Sequence, residues 1–157
     1  MRRRARARIT RRVIRFYSVE GEHGALSNFA PYPITLDGAR WPTTEHYFQA
    51  QKFDDGAYRA KIRAAKTPAI AARMGRDRSK KLRRDWESVK VGVMRRALEA
   101  KLAQHPDIRA LLLSTGDAPI VEHTENDDFW GDGGDGSGRN WLGRLLVELR
   151  AKLRADG

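Results

Sequence analysis

Cysteine is absent from all 157 residues, which removes disulfides, thiolate nucleophiles and thiolate metal sites together. The four histidines, His23, His46, His105 and His123, are scattered and show no metal-binding spacing. Glu45-His46 lacks the second histidine of H-E-x-x-H, so the sequence offers no zinc helix. No apolar run approaches the roughly 20 residues that span a bilayer, and the N-terminus lacks the apolar core of a signal peptide. These absences lead to the expectation of a soluble, cytoplasmic protein with no metal, no cofactor and no membrane partner. A P-loop is excluded because no Gly-Lys-Ser/Thr follows a glycine run. An EF-hand is excluded because counting twelve positions from Asp127, Asp128 or Asp132 reaches Gly138, Arg139 or Gly143 in place of glutamate. Gly131–Gly136 fits G-x-G-x-x-G literally, but no further β unit follows it, so a dinucleotide fold is rejected.

Acidic residues are missing from positions 1–15, which hold eight arginines. Removing those eight from the 31 basic residues leaves 23 against 20 acidic ones, a balance of +3 where the whole chain carries +11. Most of the basicity therefore belongs to an arm. Residues 1–12 read as a disordered Arg-rich segment capable of weak, non-specific nucleic-acid contact. Residues 13–157 read as one domain, with length enough for a real core.

What is present is a clear alternation of short elements. Val13–Val19 reads as a strand. Ile34–Leu36 and Ala39–Trp41 flank Asp37-Gly38, a strong hairpin signal. A helix is expected from Thr43-Thr44 to about Phe53, then shorter ones over 56–65 and 68–74. Leu82–Gln104 carries the longest helical period, through Leu82, Trp86, Val89, Val93 and Ala97. Pro106–Leu113 predicts another helix and Ala118–Thr124 another strand. The last helix, with Asn140 as its cap, aligns Leu142, Leu145, Leu146, Leu149 and Leu153. No repeat or linker interrupts the chain, so the expected fold class is α+β: a single compact, mostly helical domain with a small β-sheet.

Two segments could carry chemistry. One is the Gly/Asp-rich loop from Asp127 to Asn140, too rich in glycine to build a core and placed before a helix N-terminus that favours anions. The other is Thr43–Phe53, where Glu45, Gln49 and Lys52 fall at i, i+4 and i+7 on one helix face. At 1.5 Å per residue, Glu45 and Lys52 are about 10 Å apart along the axis, room for a small ligand. Spacing alone equally suits a solvated polar stripe. A lone Trp86 in an apolar stripe is more often core than platform, and His46 more often structural than catalytic.

Taken in order, these motifs resemble the NADAR superfamily, including its YbiA-like N-glycosidases. The matching pieces are Phe16-Tyr17, Leu26-Ser27-Asn28-Phe29, Trp41 through Phe53, Trp86 with Lys90 and Met94, and Leu113-Ser114-Thr115-Gly116. They continue with Val121-Glu122 through Gly131, Asp132-Gly133, and Gly138 through Gly143. The resemblance covers about residues 15–153; the Gly/Asp padding between Asp132 and Gly138 departs from it. It implies a metal-free hydrolase of the N-glycosidic bond between a ribose and an amine. Its substrate would be a phosphorylated ribosylamino-pyrimidine of early riboflavin synthesis. The alternatives are release of ADP-ribose from guanine in nucleic acid, and a non-catalytic ADP-ribose-binding module. Glu45, Asp128 and Asp132 are the available carboxylates for acid, base and charge stabilisation, with their division of roles open. Lys52 is a candidate amine nucleophile. Trp86 and Trp130 are expected to sandwich the base, and Asn28 and Asn140, with Ser27 beside them, to bind the ribose. The final helix N-terminus is expected to take the phosphate. Glu45, Lys52, Trp86, Asp128 and Asp132 are accordingly expected to converge on one pocket.

Overall fold

A computed structural model describes residues 12–157, so the arginine-rich stretch up to Arg11 lies outside the described residues. In chain order the elements are β1 (Ile14–Phe16), a 3-10 turn (Gly24–Leu26), β2 (Ile34–Leu36), β3 (Ala39–Trp41), α1 (Thr44–Ala50) and α2 (Gly56–Arg63). They continue with α3 (Pro68–Gly75), α4 (Trp86–Gln104), α5 (Pro106–Ser114), β4 (Ile120–Glu122) and α6 (Trp141–Asp156). The α+β class holds, but the sheet is two separate two-stranded pieces. β1 and β4 run parallel, with Ile14 opposite Ile120 and Phe16 opposite Glu122. β2 and β3 form the hairpin that Asp37-Gly38 predicts. Both turn residues have positive φ, 55° and 75°, as a type I′ turn requires.

The strand expected over 13–19 stops at Phe16. The backbone N–H of His123 donates to Phe16 O at 2.8 Å, and beyond that bond Tyr17 and Val19 emerge 52% and 45% exposed. Helix α1 starts where the sequence indicates, since Thr43 Oγ1 accepts the backbone N–H of His46 at 3.1 Å. It closes at Ala50, three residues early. Lys52 sits on the turn beyond, where its carbonyl accepts Arg83 N–H at 2.8 Å, and Phe53 drops into the core. Helix α4 begins at Trp86, not Leu82. The preceding residues are tied elsewhere, with Arg83 forked onto Asp85 at 2.6 and 2.9 Å and Leu82 41% exposed.

Two apolar clusters meet at α4. One gathers Ile14, Phe16, Leu26, Phe48, Trp86, Ile120 and the leucines of α6. The other gathers Ile34, Trp41, Tyr47, Phe53, Tyr58 and Ile62. Helix α1 lies wholly buried between α2, α3 and α4. A helix buried on all sides presents even its polar residues to the interior, which is how Glu45 and Gln49 come to be sequestered. Gly75 at the end of α3 permits the closest approach, because a Cβ there would overlap the Gln49 side-chain amide.

Candidate active site

A cleft of about 620 Å³ opens at the carboxyl ends of the parallel pair β1 and β4. Its walls come from Tyr17–Val19 after β1, Ser27–Phe29, Glu45, Phe48 and Gln49 of α1 with Lys52 just beyond it, Ala72 of α3 and Arg76 at its end, Glu122 of β4 and Thr124 after it, and Asn126, Asp127 and Trp130. Ligands of α/β sheets commonly bind at strand carboxyl ends, where connecting loops diverge.

The floor is acidic. Glu45 Oε1 accepts the Gln49 amide at 2.7 Å, and burial pushes its carboxyl up from the ordinary range, with Asp127 adding to the push. Glu122 stands at the end of β4. Its Oε2 is buried without a hydrogen-bond partner among the described residues. Burial first, then the charges of Asp127, Glu45 and Asp132, raise it to about 8. Neighbouring carboxylates in one water-poor site cannot all ionise, so Glu122 holds a proton at neutral pH. Burial pushes the Lys52 ammonium down; Glu45 opposes that, while Arg76, Arg78 and Lys90 reinforce it. Its Nζ reaches Gly75 O at 3.5 Å and lies 5.7 Å from the centre of the Phe48 ring. An acid, a carboxylate of raised pKa and an amine of lowered pKa thus line one cleft, the pattern typical of catalytic sites.

The expected site residues separate into those that line the cleft and those that support it. Glu45, Lys52, Ser27, Asn28 and Trp130 line it. Asn28 is committed, however: its Oδ1 accepts Thr44 Oγ1–H at 2.7 Å and its amide N–H points at Met94 sulfur, 3.4 Å away. Ser27 Oγ likewise accepts Phe29 N–H at 3.1 Å. Trp86 is 6% exposed and touches an adjoining hollow of about 380 Å³, not the cleft itself. The expected tryptophan sandwich does not form, because Phe48 lies between the two indoles, with ring centres 5.1 Å from Trp86 and 5.3 Å from Trp130.

Asp128, Asp132 and Asn140 lie outside the cleft wall, and the glycine loop explains why. The loop folds back on itself: Asp132 N–H bonds Glu122 O, Arg139 N–H bonds Asp128 O and Asn140 N–H bonds Gly131 O, at 2.7 to 2.9 Å. Gly133, Gly134 and Gly136 adopt left-handed φ of 72°, 88° and 86°, which the reversal demands. Asp132 is buried, accepts the N–H groups of Thr124 and Gly134 at 3.0 and 2.9 Å, and takes His123 Nδ1 at 2.7 Å. These bonds hold its carboxyl down to about 2. It organises the loop, and exposed Asp128 lies on the outer side. Asn140 has left-handed φ and uses its side chain on Ile120 O and Glu122 N–H. The N-terminus of α6 is also engaged, since Trp141 and Leu142 N–H bond the carbonyls of Phe129 and Trp130 at 3.0 and 3.1 Å. That helix end is no free anion site.

Sequence reasoning assigned no role to Glu122, Asp127, Arg76 or the exposed mouth of Tyr17, Val19 and Phe29. Glu122 ends an apolar strand, a place where an acid is unexpected, and that was the available signal. The same buried surroundings make His46 structural: it takes Thr43 Oγ1 at Nδ1 and Ala65 O at Nε2, at 2.8 and 3.0 Å.

Among the described residues no group of three or more His, Asp or Glu is placed to hold a metal ion, and no helix is long and apolar enough to cross a membrane. The family model of the NADAR domain matches residues 15–154. The chain is 62% identical over 144 residues to the N-glycosidase YbiA of Escherichia coli, covering 92% of this chain and 90% of that protein. It is 45% identical to an N-glycosidase of Nostoc punctiforme over 90% of this chain and 92% of that one. It is 44% identical to a Vibrio vulnificus riboflavin biosynthesis protein, over 95% of this chain but 41% of that longer protein. The NMR structure of E. coli YbiA superimposes with a TM-score of 0.85 at 60% identity, over 92% of this chain and 86% of that one. On sequence and fold alike, the chain belongs to the NADAR domain family.

Proposed function

We propose that this protein is an N-glycoside hydrolase that separates ribose C1 from an amine nitrogen in phosphorylated ribosylamino compounds, such as those formed early in riboflavin synthesis. The names of its relatives, N-glycosidases and riboflavin biosynthesis proteins, support the reaction and the substrate class. The observation that carries the chemistry is the meeting of Glu45, Glu122 and Lys52 in one cleft.

In the proposed sequence the substrate reacts in its ring-opened form, as an imine at C1. The neutral Lys52 amine adds to C1, giving a carbon that bears both nitrogens. Glu122 donates its proton to the substrate nitrogen, and the amine leaves with the bonding electrons. The resulting protonated imine between Lys52 and C1 is stabilised by the Glu45 carboxylate. Water then adds to C1 and returns a proton to Glu122. Collapse of that adduct releases the sugar aldehyde and the free amine of Lys52. The net change is one water consumed, one amine and one sugar phosphate released. The edge of Trp130 and the Tyr17–Phe29 mouth offer the departing base an aromatic wall. Asp132 and Asn140 serve this site by positioning Glu122 and the loop that carries Asp127 and Trp130.

Sodium borohydride added during turnover tests the reading. A covalent sugar adduct should appear on Lys52 in the mass spectrum and be absent from K52M. Unimpaired turnover by K52M refutes the nucleophile, and no released sugar from any ribosylamine refutes the reaction.

A further inference from the structure

We propose that the basic hollow beside the cleft, formed by Arg76, Arg78 and Lys80 next to Lys52, binds the phosphate end of the substrate and so fixes its orientation. The inference rests on the hydrolase reading above and adds a subsite to it. The hollow holds about 380 Å³ and adjoins the cleft, with Lys52 and Arg76 lining both.

Its charge is unbalanced in a particular way. Of its two carboxylates, Asp77 accepts Ser79 N–H and Oγ–H at 2.9 and 2.7 Å, and Glu87 pairs with Lys90 at 2.6 Å. Lys80 stands 5.0 Å from the centre of the Tyr58 ring. Neither Arg76 nor Arg78 has a side-chain hydrogen bond or ion pair among the described residues. Two guanidinium forks two positions apart, neither tied up in a hydrogen bond or close ion pair, match the oxygens of a phosphate, and Glu45 acts on Arg76 only through space. A dipole role at the end of α3 would account for Arg76, but not for Arg78 beyond the cap.

The turn that carries them is set before any ligand arrives: Asp77 N–H bonds Met74 O and Lys80 N–H bonds Asp77 O, both at 3.2 Å. Both arginines act electrostatically on Lys52, so an anion they hold would lie near the reacting amine. The cleft also has an apolar, open rim, with Tyr17, Val19 and Phe29 exposed. The result is a directional site: aromatic base at the mouth, C1 at Glu45 and Lys52, phosphate in the hollow. The N-terminus of α6 offers no competing anion site, being satisfied by loop carbonyls.

Titration calorimetry with ribose 5-phosphate tests this, using the whole chain. R78Q should weaken binding about tenfold, the size of one lost charge-assisted contact, and R78K should recover part of it. R73Q, on exposed α3 surface away from the hollow, should bind within twofold of wild type and so controls for net charge. In turnover, R78Q should raise KM, and kcat should fall with it toward lower pH, because Arg78 also helps to keep the Lys52 ammonium pushed down. Unchanged affinity in R78Q, an equal loss in R73Q, or no binding by the wild type at millimolar ligand each overturns the proposal. The two readings fail separately. Binding that depends on Arg78 with no sugar released keeps the subsite and removes the hydrolase. Turnover with an unaltered KM in R78Q does the reverse. Tenfold tighter binding of ADP-ribose, also lost in R78Q, would extend the hollow's ligand to a diphosphate.

Discussion

Replacing Glu122 by glutamine should make the protein more stable and less active, by amounts that depend on pH. The carboxyl is raised from 4.5 to about 8 by burial and by its acidic neighbours. Between those values the folded chain holds a proton that the unfolded chain has released. Stability therefore falls as pH rises through this window, by about 1.4 kcal/mol per unit. Glutamine cannot ionise and removes that slope, while the other carboxyls are common to both proteins. From pH 5 to pH 8 the E122Q variant should gain between about 3 and 4 kcal/mol relative to wild type, or roughly 10 °C in Tm for a chain of this size. Urea unfolding at the two pH values measures the difference. Wild-type activity should fall as pH rises through about 8, as the acid loses its proton. The variant should lack that limb and run about 10²- to 10⁴-fold slower. A stability difference that stays flat with pH would mean that Glu122 is ionised in the fold, and the proton-donor argument would collapse with it.

Glu45→Gln should abolish turnover yet cost at most about 1 kcal/mol, since the Gln49 amide keeps an oxygen acceptor; wild-type turnover in this variant would make Glu45 structural. Asp132→Asn should cost about 2 kcal/mol at neutral pH, because it discards a carboxylate held near 2 by backbone N–H groups and His123; the wild-type contribution is present above the unfolded value near 3.8 and fades as acid approaches 2, so equal acid unfolding of the two proteins would contradict the role. Lys101 is 2% exposed and donates to the carbonyls of Ala25 and Ser27 at 2.6 and 3.1 Å, so Lys101→Met should destabilise by about 2 kcal/mol and loosen the Ser27–Phe29 wall, visible as faster amide exchange there. Chelation with EDTA should leave activity unchanged, and loss restored by magnesium would overturn the metal-free chemistry. Deleting residues 1–12 should spare turnover of a free nucleotide while weakening nucleic-acid binding and flattening its salt dependence; loss of turnover would place the arm in the site.

Local signals were legible at some short-range features and not at others: the expected cap Asn140 makes no side-chain cap bond and spends its amide on Ile120 O and Glu122 N–H. Asp37-Gly38 specifies its hairpin through the positive φ both residues accept. Thr43 caps α1 through its own hydroxyl, as its place before the helix indicates. The leucines of α6 face the core as their period requires. Glu45 and Lys52 were legible as candidates because one helical segment carries both.

Tertiary structure decided the rest. No periodicity reveals that α1 is buried on every side, and that burial is what shifts Glu45. No local pattern pairs β1 with β4 across more than a hundred residues, yet that pairing brings Glu122 beside Glu45. The Gly/Asp loop does reach the cleft, through Asp127 and Trp130, but composition cannot say which of its carboxylates point there. In the fold, Asp127 and Asp132 spend oxygens on backbone N–H groups of the loop and of Thr124 just before it. Backbone donors near a carboxylate are nearby in sequence, but desolvation and charge coupling depend on what packs from elsewhere. The sequence by itself therefore determined the elements and the chemical inventory, and the packing of α1 against the ends of β1 and β4 determined which members of that inventory share a site.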